Sequence, residues 1–578
     1  MIRTTRWNRL SLRASPRLAL ALGALTCGAI ACSAGADVTA LDGALKLLPD
    51  DTAAFVLVPN PKQASDDLQQ CIERMDRPEA GVAGRPIDQL KAYLKIGASF
   101  DDKAPLALAM VSRGDALVPL AFVPVTDGNE FLKSNFTPLP DVGADAFKHA
   151  DGTTVYARVL AHHVLMSTDA DAVRGFKPAD GLAERVRQRL GPRGAGMLAR
   201  GDVVAWAGPA ALTRAAKEAG GRRVPVGIPQ ADAMEAAVRQ LMGEVSDALI
   251  AIDFDPLGVG VRTFALATKD SELSRLAAGG KNHGTRFDRL PRAPFYGIVR
   301  VDIDGLGGLA AAEAIVKKFP GAPTLPGWLV AARDHVHGLQ FGVYPSKLGI
   351  ATGGILNDSL LFIESDKPDA VRDGIKQAIM ATAGEFAGIK REPTWTADKE
   401  LKGGGTADAF EVKESSIPGA EQTSGAAIAK LVSQMVFGSR GFVGFVKPLS
   451  GGVALTFSQR VDVLERGVQA SAGGKTFADD PTLASYRAWL VDGADVEAYV
   501  GIAQFGKLVQ QLVTMVPGGQ ETSLPQIPSN AEPIAFAMEV DGGAVETATV
   551  LPTSLLIIVY DQMKQQRIGG APTHAPAQ

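Results

Sequence analysis

Cysteine and histidine are scarce in this sequence. Its 578 residues include three cysteines and seven histidines. Cys27 and Cys32 both lie within the first 36 residues, so a chain that loses those residues keeps only Cys71. A single cysteine cannot close an internal disulfide bond, and stability must then come from apolar burial. The acids around Cys71 in "DDLQQCIERM" predict an inert, buried or partly buried thiol.

Excess positive charge and long apolar runs are also absent. The chain has 59 Lys and Arg against 63 Asp and Glu, and residues 1–36 contain five arginines but no acid. Without that segment the balance is more acidic, which gives no electrostatic reason to bind nucleic acid or anionic lipid. No later apolar run reaches the roughly 20 residues of a spanning helix. At 46% hydrophobic residues, the composition predicts a globular chain without a membrane span.

The N-terminus carries the strongest functional signal. Its arginines precede an apolar run at 18–32 and an Ala-Gly-Ala sequence at 34–36. This is the pattern of a secretory signal peptide that is cleaved after Ala36. Lipid attachment at Cys32 is the alternative, because Ala-Ile-Ala-Cys resembles a bacterial lipobox, although Ala stands where that motif prefers Leu. We therefore predict an extracytoplasmic protein, periplasmic or secreted.

A strand-turn-helix pattern recurs along the chain. Ser-x-x-x-Asp-Ala-Val-Arg begins at Ser167 and at Ser365, with looser copies at Thr268 and Ser458 and a weaker one near Pro552. The first four starts are separated by 101, 97 and 93 residues. Apolar residues precede each position and a polar cluster follows. We expect each position at the end of a strand, with a helix directly after it.

Two copies of this pattern also have the spacing of a capping box. In Thr168-x-x-Asp171 and Asp366-x-x-Asp369, an acid falls in the first helical turn, where the helix dipole favours negative charge. These Ser and Asp residues are therefore interpreted as structural rather than as a catalytic pair.

A second pattern is a strand that leads directly into an amphipathic helix. It starts at four positions: Ala53, Asp202, Ala293 and Asp495. Hairpin-like runs separate these units, and in one of them Asp541-Gly542 suits a type I′ turn. Strands joined by tight turns, with helices at intervals, predict an α+β fold built from repeated modules of antiparallel sheet, with helices packed mainly on one face.

Composition shifts predict the domain boundaries. Gly- and Pro-containing stretches at 191–200, 281–294, 391–407 and 517–533 indicate linkers or loops. The predicted organisation is a signal peptide at 1–36, α+β modules at 37–190, 201–280, 293–390 and 408–480, a C-terminal α+β module at 481–567 and a disordered tail at 568–578.

Two stretches carry a family resemblance. "LLPDDTAAFVLVPNP", from Leu47, and "EPIAFAMEVDGGAVETATVLPTSLLIIVYDQM", from Glu532, resemble uncharacterised secreted proteins of planctomycete-type bacteria. That family has no established activity or site residues. The resemblance therefore implies a secreted protein and assigns no catalytic residue.

Three motifs resemble sites of known chemistry. Gly305-x-Gly307-x-x-Ala310 mimics a dinucleotide fingerprint, but the acid expected about 20 residues on is absent, so a Gly-rich strand-to-helix turn is the better interpretation. His335 and His337 would share one face of a strand, yet no third ligand can be identified, which predicts no metal there. Adjacent His162 and His163 would point to opposite faces.

Two further features are equally unspecific. Ser439 lies beside glycines without forming Gly-x-Ser-x-Gly. The loop with Lys281, Arg286, Arg289 and Arg292 could attract an anion, although such charges are usually solvated. We assign no catalytic, cofactor-binding or metal residue from the sequence and expect no cofactor.

Three functions remain open. Repetition of an α+β unit without a repeated polar constellation favours a non-catalytic binding or envelope-associated interaction protein, whose partner is a protein, glycan or envelope component. A carrier of an apolar ligand in a cavity between sheet and helix is one alternative. A hydrolase whose site is assembled from distant residues is the other, and paired acids facing one cleft would reveal it.

Overall fold

The structure is a computed structural model. It describes residues 38–75, 85–94, 96–114, 116–178, 181–219, 243–283, 286–317, 329, 333–386, 388–401, 405–417, 432–515 and 527–569. The predicted signal peptide, the Ala36 cleavage site, Cys32 and residues 570–578 of the tail lie outside these ranges. No helix among the described residues is long and apolar enough to cross a membrane.

The chain divides into two compact units. Unit 1 comprises Met1–Lys217 and Ser246–Thr263, and unit 2 comprises Glu218–Val245 and Phe264–Gln578. The five module boundaries predicted from composition are finer than this division and stay a prediction.

Helices and strands are interspersed along both units. Up to residue 267 they are α1 (Val38–Leu45), β1 (Thr52–Val58), α2 (Pro61–Arg74), α3 (Pro86–Leu94), β2 (Leu106–Arg113), β3 (Ala116–Pro124), α4 (Gly128–Asn135), β4 (Thr137–Pro138), β5 (Ala146–Lys148), β6 (Thr154–Val159), β7 (His163–Ser167), α5 (Ala170–Arg174), α6 (Leu182–Leu198), β8 (Val203–Ala207), α7 (Pro209–Ala219), β9 (Val245–Asp255) and β10 (Gly258–Ala267). After it they are α8 (Glu272–Leu276), β11 (Gly297–Asp302), α9 (Leu309–Lys317), β12 (Val336–Val343), α10 (Gly349–Gly353), β13 (Ser359–Ser365), α11 (Pro368–Met380), β14 (Gly384–Phe386), β15 (Ile389–Glu400), β16 (Thr406–Ser416), β17 (Phe442–Leu449), β18 (Gly452–Thr456), α12 (Val461–Ser471), α13 (Pro481–Arg487), β19 (Val496–Val500), α14 (Ile502–Met515), β20 (Ile534–Asp541), β21 (Ala544–Pro552) and α15 (Thr553–Gly569). Short 3₁₀ helices occupy Arg333–His335 and Phe477–Asp479.

Both units have antiparallel sheets, which confirms the predicted α+β class. In unit 1 the strand order is β4-β5-β6-β7-β3-β2-β1-β8-β9, followed by β10. In unit 2 it is β14-β15-β16-β17-β18-β13-β12-β11-β19-β20-β21. Among the strands in the described residues the orders match strand for strand, with one additional edge strand in unit 2.

The centre of each sheet is built from the predicted strand-helix pattern. Strand β1 pairs with β8, and β11 pairs with β19. All four strands lead into a helix, namely α2, α7, α9 and α14 respectively. The local sequence explains the start of α2, where the Asn60 side chain accepts a hydrogen bond from the Gln63 N–H and Pro61 occupies the first helical turn, both typical of a helix N-terminus.

The four junction predictions are confirmed. Ser167 and Ser365 are the last residues of β7 and β13, Thr268 directly follows β10, and Ser458 lies two residues after β18. Helices begin at residues 170, 272, 368 and 461. The weaker candidate near Pro552 also lies where β21 meets α15.

The predicted capping boxes are wrong by one residue. Asp169 caps α5 instead of Thr168, and its side chain accepts from the N–H of Ala172. Lys367 precedes α11, and no side chain caps that helix. In three of the junctions the serine itself organises the turn, because its Oγ accepts the N–H two residues on. The distances are 3.1 Å at Ser167, 3.0 Å at Ser365 and 3.0 Å at Ser458.

Three local predictions need correction. The stretch 391–407 is mostly the long hairpin of β15 and β16 rather than a loop, because successive residues from Ile389 to Glu400 pair with β16, with one irregularity between Thr396 and Lys399. The 191–200 linker belongs largely to α6, which kinks at Gly191 (φ 67°) before Pro192. The β20–β21 hairpin forms as predicted, but its two turn residues are Gly542 and Gly543, both with positive φ; a type I′ turn requires that.

In unit 2, helices pack on both faces of β13. Its residues alternate between two apolar clusters: Leu360 and Phe362 pack with Val463 of α12, while Ile363 packs with Val371 of α11. The run Leu-Leu-Phe-Ile is apolar at every position, as expected for a strand buried on both faces. In unit 1, an apolar cluster that includes Phe131 of α4 fills the core beside β3 and β7.

Candidate binding cleft

A polar cleft opens at one edge of the unit 2 sheet. It has a volume of about 440 Å³ and lies where β13 ends, near the beginning of β12 and beyond the end of β11. The residues that line it are His283, Asp288, Arg289, Asp304, His337, Glu364, Ser365, Asp366 and Gly451. We call this set the unit 2 cleft.

Imidazoles and carboxylates face each other in the unit 2 cleft. Nδ1 of His337 lies 2.9 Å from Oδ2 of Asp304, and its Nε2 lies 3.6 Å from Oδ1 of Asp366. The same Asp366 oxygen is 3.3 Å from Nδ1 of His335, and Asp304 is also 3.6 Å from Nδ1 of His283. Two carboxylates thus connect three histidines from two parts of the chain, His283 and the neighbouring pair His335 and His337.

A buried glutamine organises the rear of the cleft. Nε2 of Gln340, whose side chain is fully buried, donates to Oε1 of Glu364 and to Oδ1 of Asp288, each at 2.9 Å. Burial raises the pKa of Glu364 above its ordinary value; the Gln340 hydrogen bond opposes this rise and the charge of Asp288 adds to it. Glu364 therefore keeps its proton to a higher pH than an ordinary glutamate does.

A buried aspartate fixes the segment that carries His283. Asp302 is 2% exposed. Its Oδ2 accepts the N–H of His283 and its Oδ1 accepts the N–H of Gly305, each at 2.9 Å. Arg300 lies behind it, with Nη2 at 3.5 Å from Oδ2. Asp302 therefore holds the backbone of His283 beside the cleft.

The charges of the unit 2 cleft are unbalanced. Four acids line it, Asp288, Asp304, Glu364 and Asp366, against one guanidinium, that of Arg289. That guanidinium lies over the ring of Phe362, and its Nε is 3.8 Å from Asp288. The carboxylates of Asp304 and Asp366 are 30% and 55% exposed, so they are accessible to a ligand. A cleft with this composition favours a positively charged group.

The two histidines singled out from the sequence do come together, but not on one strand. His335 belongs to a 3₁₀ helix and His337 to β12, and they meet through Asp366. Within the described ranges, no group of three or more His, Cys, Asp or Glu side chains could hold a metal ion. The prediction that this pair binds no structural metal stays a prediction.

The glycine motif and Ser439 have structural surroundings. Strand β11 runs antiparallel to both of its neighbours, whereas a dinucleotide fingerprint requires a parallel βαβ unit. Gly307 and Gly308 then turn the chain into α9 with positive φ. The hydroxyl of Ser439 donates to the carbonyl of Thr352.

The basic loop is partly neutralised. Arg289 lies in the unit 2 cleft, while Nε of Arg292 lies 2.6 Å from Asp480. That ion pair contributes to a second cavity of about 540 Å³ in unit 2, which Phe295, Phe477 and Leu483 also line.

Cys71 departs from its prediction. It is 1% exposed, as expected for a buried side chain, and its Sγ lies 3.0 Å from the carbonyl of Asp255. It is disulfide-bonded in the structure, whereas the sequence predicts an unpaired thiol after residues 1–36 are removed. The full chain retains Cys27 and Cys32, which that prediction leaves out.

Sequence reasoning missed the acids of the cleft. Asp366 was assigned to a helix cap, and Asp304 and Glu364 were not singled out. The available signal was positional: each acid follows or closes an apolar strand, and antiparallel neighbours place alternate strand ends at the same edge.

Comparisons with known proteins add little. No protein-family model matches the chain, and no curated protein matches it. The structure of crystal form III of the treponemal protein TP0453 aligns with 49% of this chain and 100% of its own, at 10% identity and a TM-score of 0.22. A similarity this low carries no argument about fold or function.

Proposed function

We propose that the protein is a non-catalytic, extracytoplasmic binding protein and that the unit 2 cleft takes a positively charged group of its ligand. The observation that carries the proposal is the excess of carboxylates, held by buried supports such as Asp302 and Gln340 and accessible at Asp304 and Asp366. An ammonium or guanidinium group would receive charge-assisted hydrogen bonds there. Such groups occur on protein side chains and on amine-bearing envelope components.

Calorimetric titration with a small diamine tests this proposal. The probe is 1,5-diaminopentane, and glutarate, a dianion of similar length, is its control. We expect binding of the diamine that weakens as salt is added, because salt screens exposed charges. Glutarate should not bind. Equal binding of both probes, or binding of neither, would contradict the proposed charge preference.

Two variants locate the binding. Asp304→Asn and Asp366→Asn should each weaken diamine binding about tenfold, which corresponds to about 1.4 kcal/mol. Asp145→Asn is the matched control, since Asp145 forms an ion pair with Arg174 in unit 1 and its replacement removes one negative charge away from the cleft. An equal loss in the control would mean that net charge, not the cleft, attracts the probe.

Because the pKa of Glu364 is raised, the affinity for the diamine should depend on pH. As pH falls through that pKa, Glu364 gains a proton and the cleft loses a negative charge, so diamine binding should weaken. Glu364→Gln removes this titration, and its affinity should vary less with pH over the same range.

A hydrolase remains the second candidate, because paired acids do face one cleft. Glu364 has the raised pKa of a general acid, and Asp366 could serve as the second carboxylate, as in glycoside hydrolysis. Aryl glycosides test this directly. Hydrolysis abolished by Glu364→Gln would establish the enzyme, and its absence across several glycosides would favour the binding protein.

Export is the second part of the proposal. It rests on the arginine-rich start, on the Ala-Gly-Ala sequence at 34–36 and on the resemblance to secreted planctomycete-type proteins. Intact mass of the protein from a bacterial envelope fraction should correspond to a chain that begins at Asp37. A lipid-modified Cys32 at the N-terminus would replace secretion with membrane anchoring.

We also infer that the two units arose by repetition of one arrangement. Their matching strand orders and the recurring Ser turns at Ser167 and Ser458 support this. Superposition of the two units in an experimental structure should bring β7 onto β18; a mismatch of these strands would reject the repeat.

A further inference from the structure

One aspartate recurs at the same place in both units. Asp202 directly precedes β8 and its N–H donates to the carbonyl of Ile252 at 3.0 Å. Asp495 directly precedes β19 and its N–H donates to the carbonyl of Met538 at 2.8 Å. Because β8 and β19 hold the same position in the strand order, these two carboxyl groups can be compared atom by atom.

In unit 2 the carboxylate is satisfied on both sides. Oδ1 of Asp495 accepts from Nδ2 of Asn282 at 2.8 Å, and Oδ2 accepts from the N–H of Val540 at 2.7 Å. Burial, with the charges of Asp302 and Glu539 adding to it, raises the pKa of Asp495 above its ordinary value, and the bonds from Val540 and Asn282 oppose that rise.

In unit 1 the same carboxyl group lacks the second donor. Asp202 is 6% exposed, and in the part of the chain that the structure describes no group hydrogen-bonds to its Oδ2. Its charged neighbours are Asp253 on β9 and Asp67 on α2, which are 5% and 8% exposed. Both of these neighbours are acceptors when ionised, so neither can satisfy an ionised Asp202.

The cationic side chains near this site interact with Asp253. Nε of Arg262, on β10, lies 3.6 Å from Oδ2 of Asp253, and Arg200 also acts on that carboxylate. Asp67 already accepts from Nε2 of Gln63 at 2.6 Å and from Nε2 of Gln70 at 3.4 Å. Asp253 also lies opposite Asp202 across the β8–β9 pair, because Val203 pairs with Ile252, so it is the better placed acceptor for a further hydrogen bond.

We propose that folded unit 1 keeps Asp202 as a neutral carboxylic acid whose proton is shared with the carboxylate of Asp253. A hydroxyl at Oδ2 turns an orphan acceptor into a donor and removes the repulsion between two buried negative charges. Asp202 thus forms a proton-binding site within unit 1. At the corresponding position of unit 2, Asp495 accepts a hydrogen bond from an amide instead.

The electrostatics agree with this geometry. Burial, with the charges of Asp253 and Asp67 adding to it, raises the pKa of Asp202 to about 9, and the backbone N–H of Phe254 opposes the rise. Burial raises the pKa of Asp253 to about 6, against the effects of Arg262 and Arg200. Asp202 therefore stays protonated at a pH where Asp253 is ionised.

The consequence is a stability that falls with rising pH. Between the ordinary value of 3.8 and about 9, folded Asp202 holds a proton that the unfolded chain has released. The folded state then binds more protons, so this group's contribution to stability is full at low pH and is lost as pH rises to about 9.

Calorimetric melting of the full-length chain with Asp202→Asn tests the proposal. Asparagine keeps the shape of a neutral acid and a donor but cannot titrate. Its Tm relative to the unmodified protein should rise by about 2–4 °C per pH unit from about pH 6 to about pH 9. Asp495→Asn is the matched control: it turns an acceptor into a donor against Asn282 and Val540, and its Tm should be lower by an amount that does not grow with pH.

Three results would overturn the proposal. A Tm loss in Asp202→Asn that is the same at every pH would mean that Asp202 is an ionised acceptor. A rise in Tm on addition of calcium or magnesium chloride that Asp202→Asn abolishes would mean that a cation, not a proton, is bound there. If Asp202→Asn does not fold, infrared spectra of the unmodified protein still decide, because the protonated-carboxyl band should be present at neutral pH and lost on titration past about pH 9; its absence at neutral pH would contradict the proposal.

Discussion

The corresponding strand end carries acids in unit 2 but buried apolar residues in unit 1. In unit 2 the end of β13 carries Glu364 and continues to Asp366. In unit 1 the end of β3 contributes Val123 and continues to Val125, and both pack in a buried cluster with Phe131.

Of the two histidines at that edge of unit 1, His162 is exposed and His163 is enclosed. His163 is 6% exposed, its Nε2 lies 2.9 Å from the carbonyl of Pro105, and burial lowers its pKa below the ordinary value. A matching strand order thus supports an apolar core in one unit and a charged cleft in the other. The difference locates the candidate site, since the fold alone does not require acids at this edge.

The largest expected effect comes from breaking the satisfied carboxylate. Asp495→Ala leaves the N–H of Val540 and the amide of Asn282 without their buried acceptor. We expect a loss of about 3 kcal/mol, or a Tm lower by roughly 6–12 °C. Asp202→Ala should cost less, because it leaves one buried N–H, that of Phe254, without this acceptor. Equal losses on calorimetric melting would contradict the contrast between the two sites.

A glycine pair probes packing in the two units. A Cβ on Gly305 would clash with Oδ1 of Asp495, so Gly305→Ala should destabilise by about 1–3 kcal/mol. Gly196 in α6 has nothing within 4 Å of its Cβ position, and Gly196→Ala should stabilise by about 0.5–1 kcal/mol. Urea unfolding measures both. A neutral Gly305→Ala would show that the loop around Asp495 adjusts freely.

The Ser turns give a smaller and graded effect. Ser458→Ala removes one acceptor of the Arg460 N–H and should cost about 1 kcal/mol. Ser167→Ala should cost somewhat more, because the Ser167 hydroxyl also donates to the carbonyl of Pro119 at 2.8 Å. A lower urea midpoint for Ser458→Ala than for Ser167→Ala would mean that pairing of the adjacent strands, rather than the serine side chain, chiefly stabilises these turns.

Removal of metal ions should have the smallest effect of all, namely no change in Tm. We expect a chelator to leave the Tm unchanged, because a structural metal would stabilise the native state directly. A fall of several degrees that zinc reverses would place a metal beside His335 and His337.

The fold was predictable to the extent that local rules govern it. Apolar runs that end in polar clusters placed the junctions at Ser167, Thr268, Ser365 and Ser458, and the α+β class follows from them. Where local signals compete, the prediction was less accurate: polar, Gly-containing 391–407 forms a hairpin because β16 pairs with it.

The candidate site was not predictable from local signals. His335 and His337 were noticed for their spacing, but Asp304, Glu364 and Asp366 join them only through the pairing of β11, β12 and β13. Long-range strand order decides that meeting, and a single sequence does not display it.

The most direct test of the proposed cleft is histidine-ring NMR during titration with 1,5-diaminopentane. With seven histidines in the chain, each ring signal can be assigned by substitution. Unit 1 contributes His149, His162 and His163 as internal controls, and the unit 2 cleft contributes His283 and His337. We expect the signals of His283 and His337 to move with the added diamine while those of unit 1 stay in place. Movement in unit 1 alone, or no movement at all, would contradict binding of a cation in the unit 2 cleft.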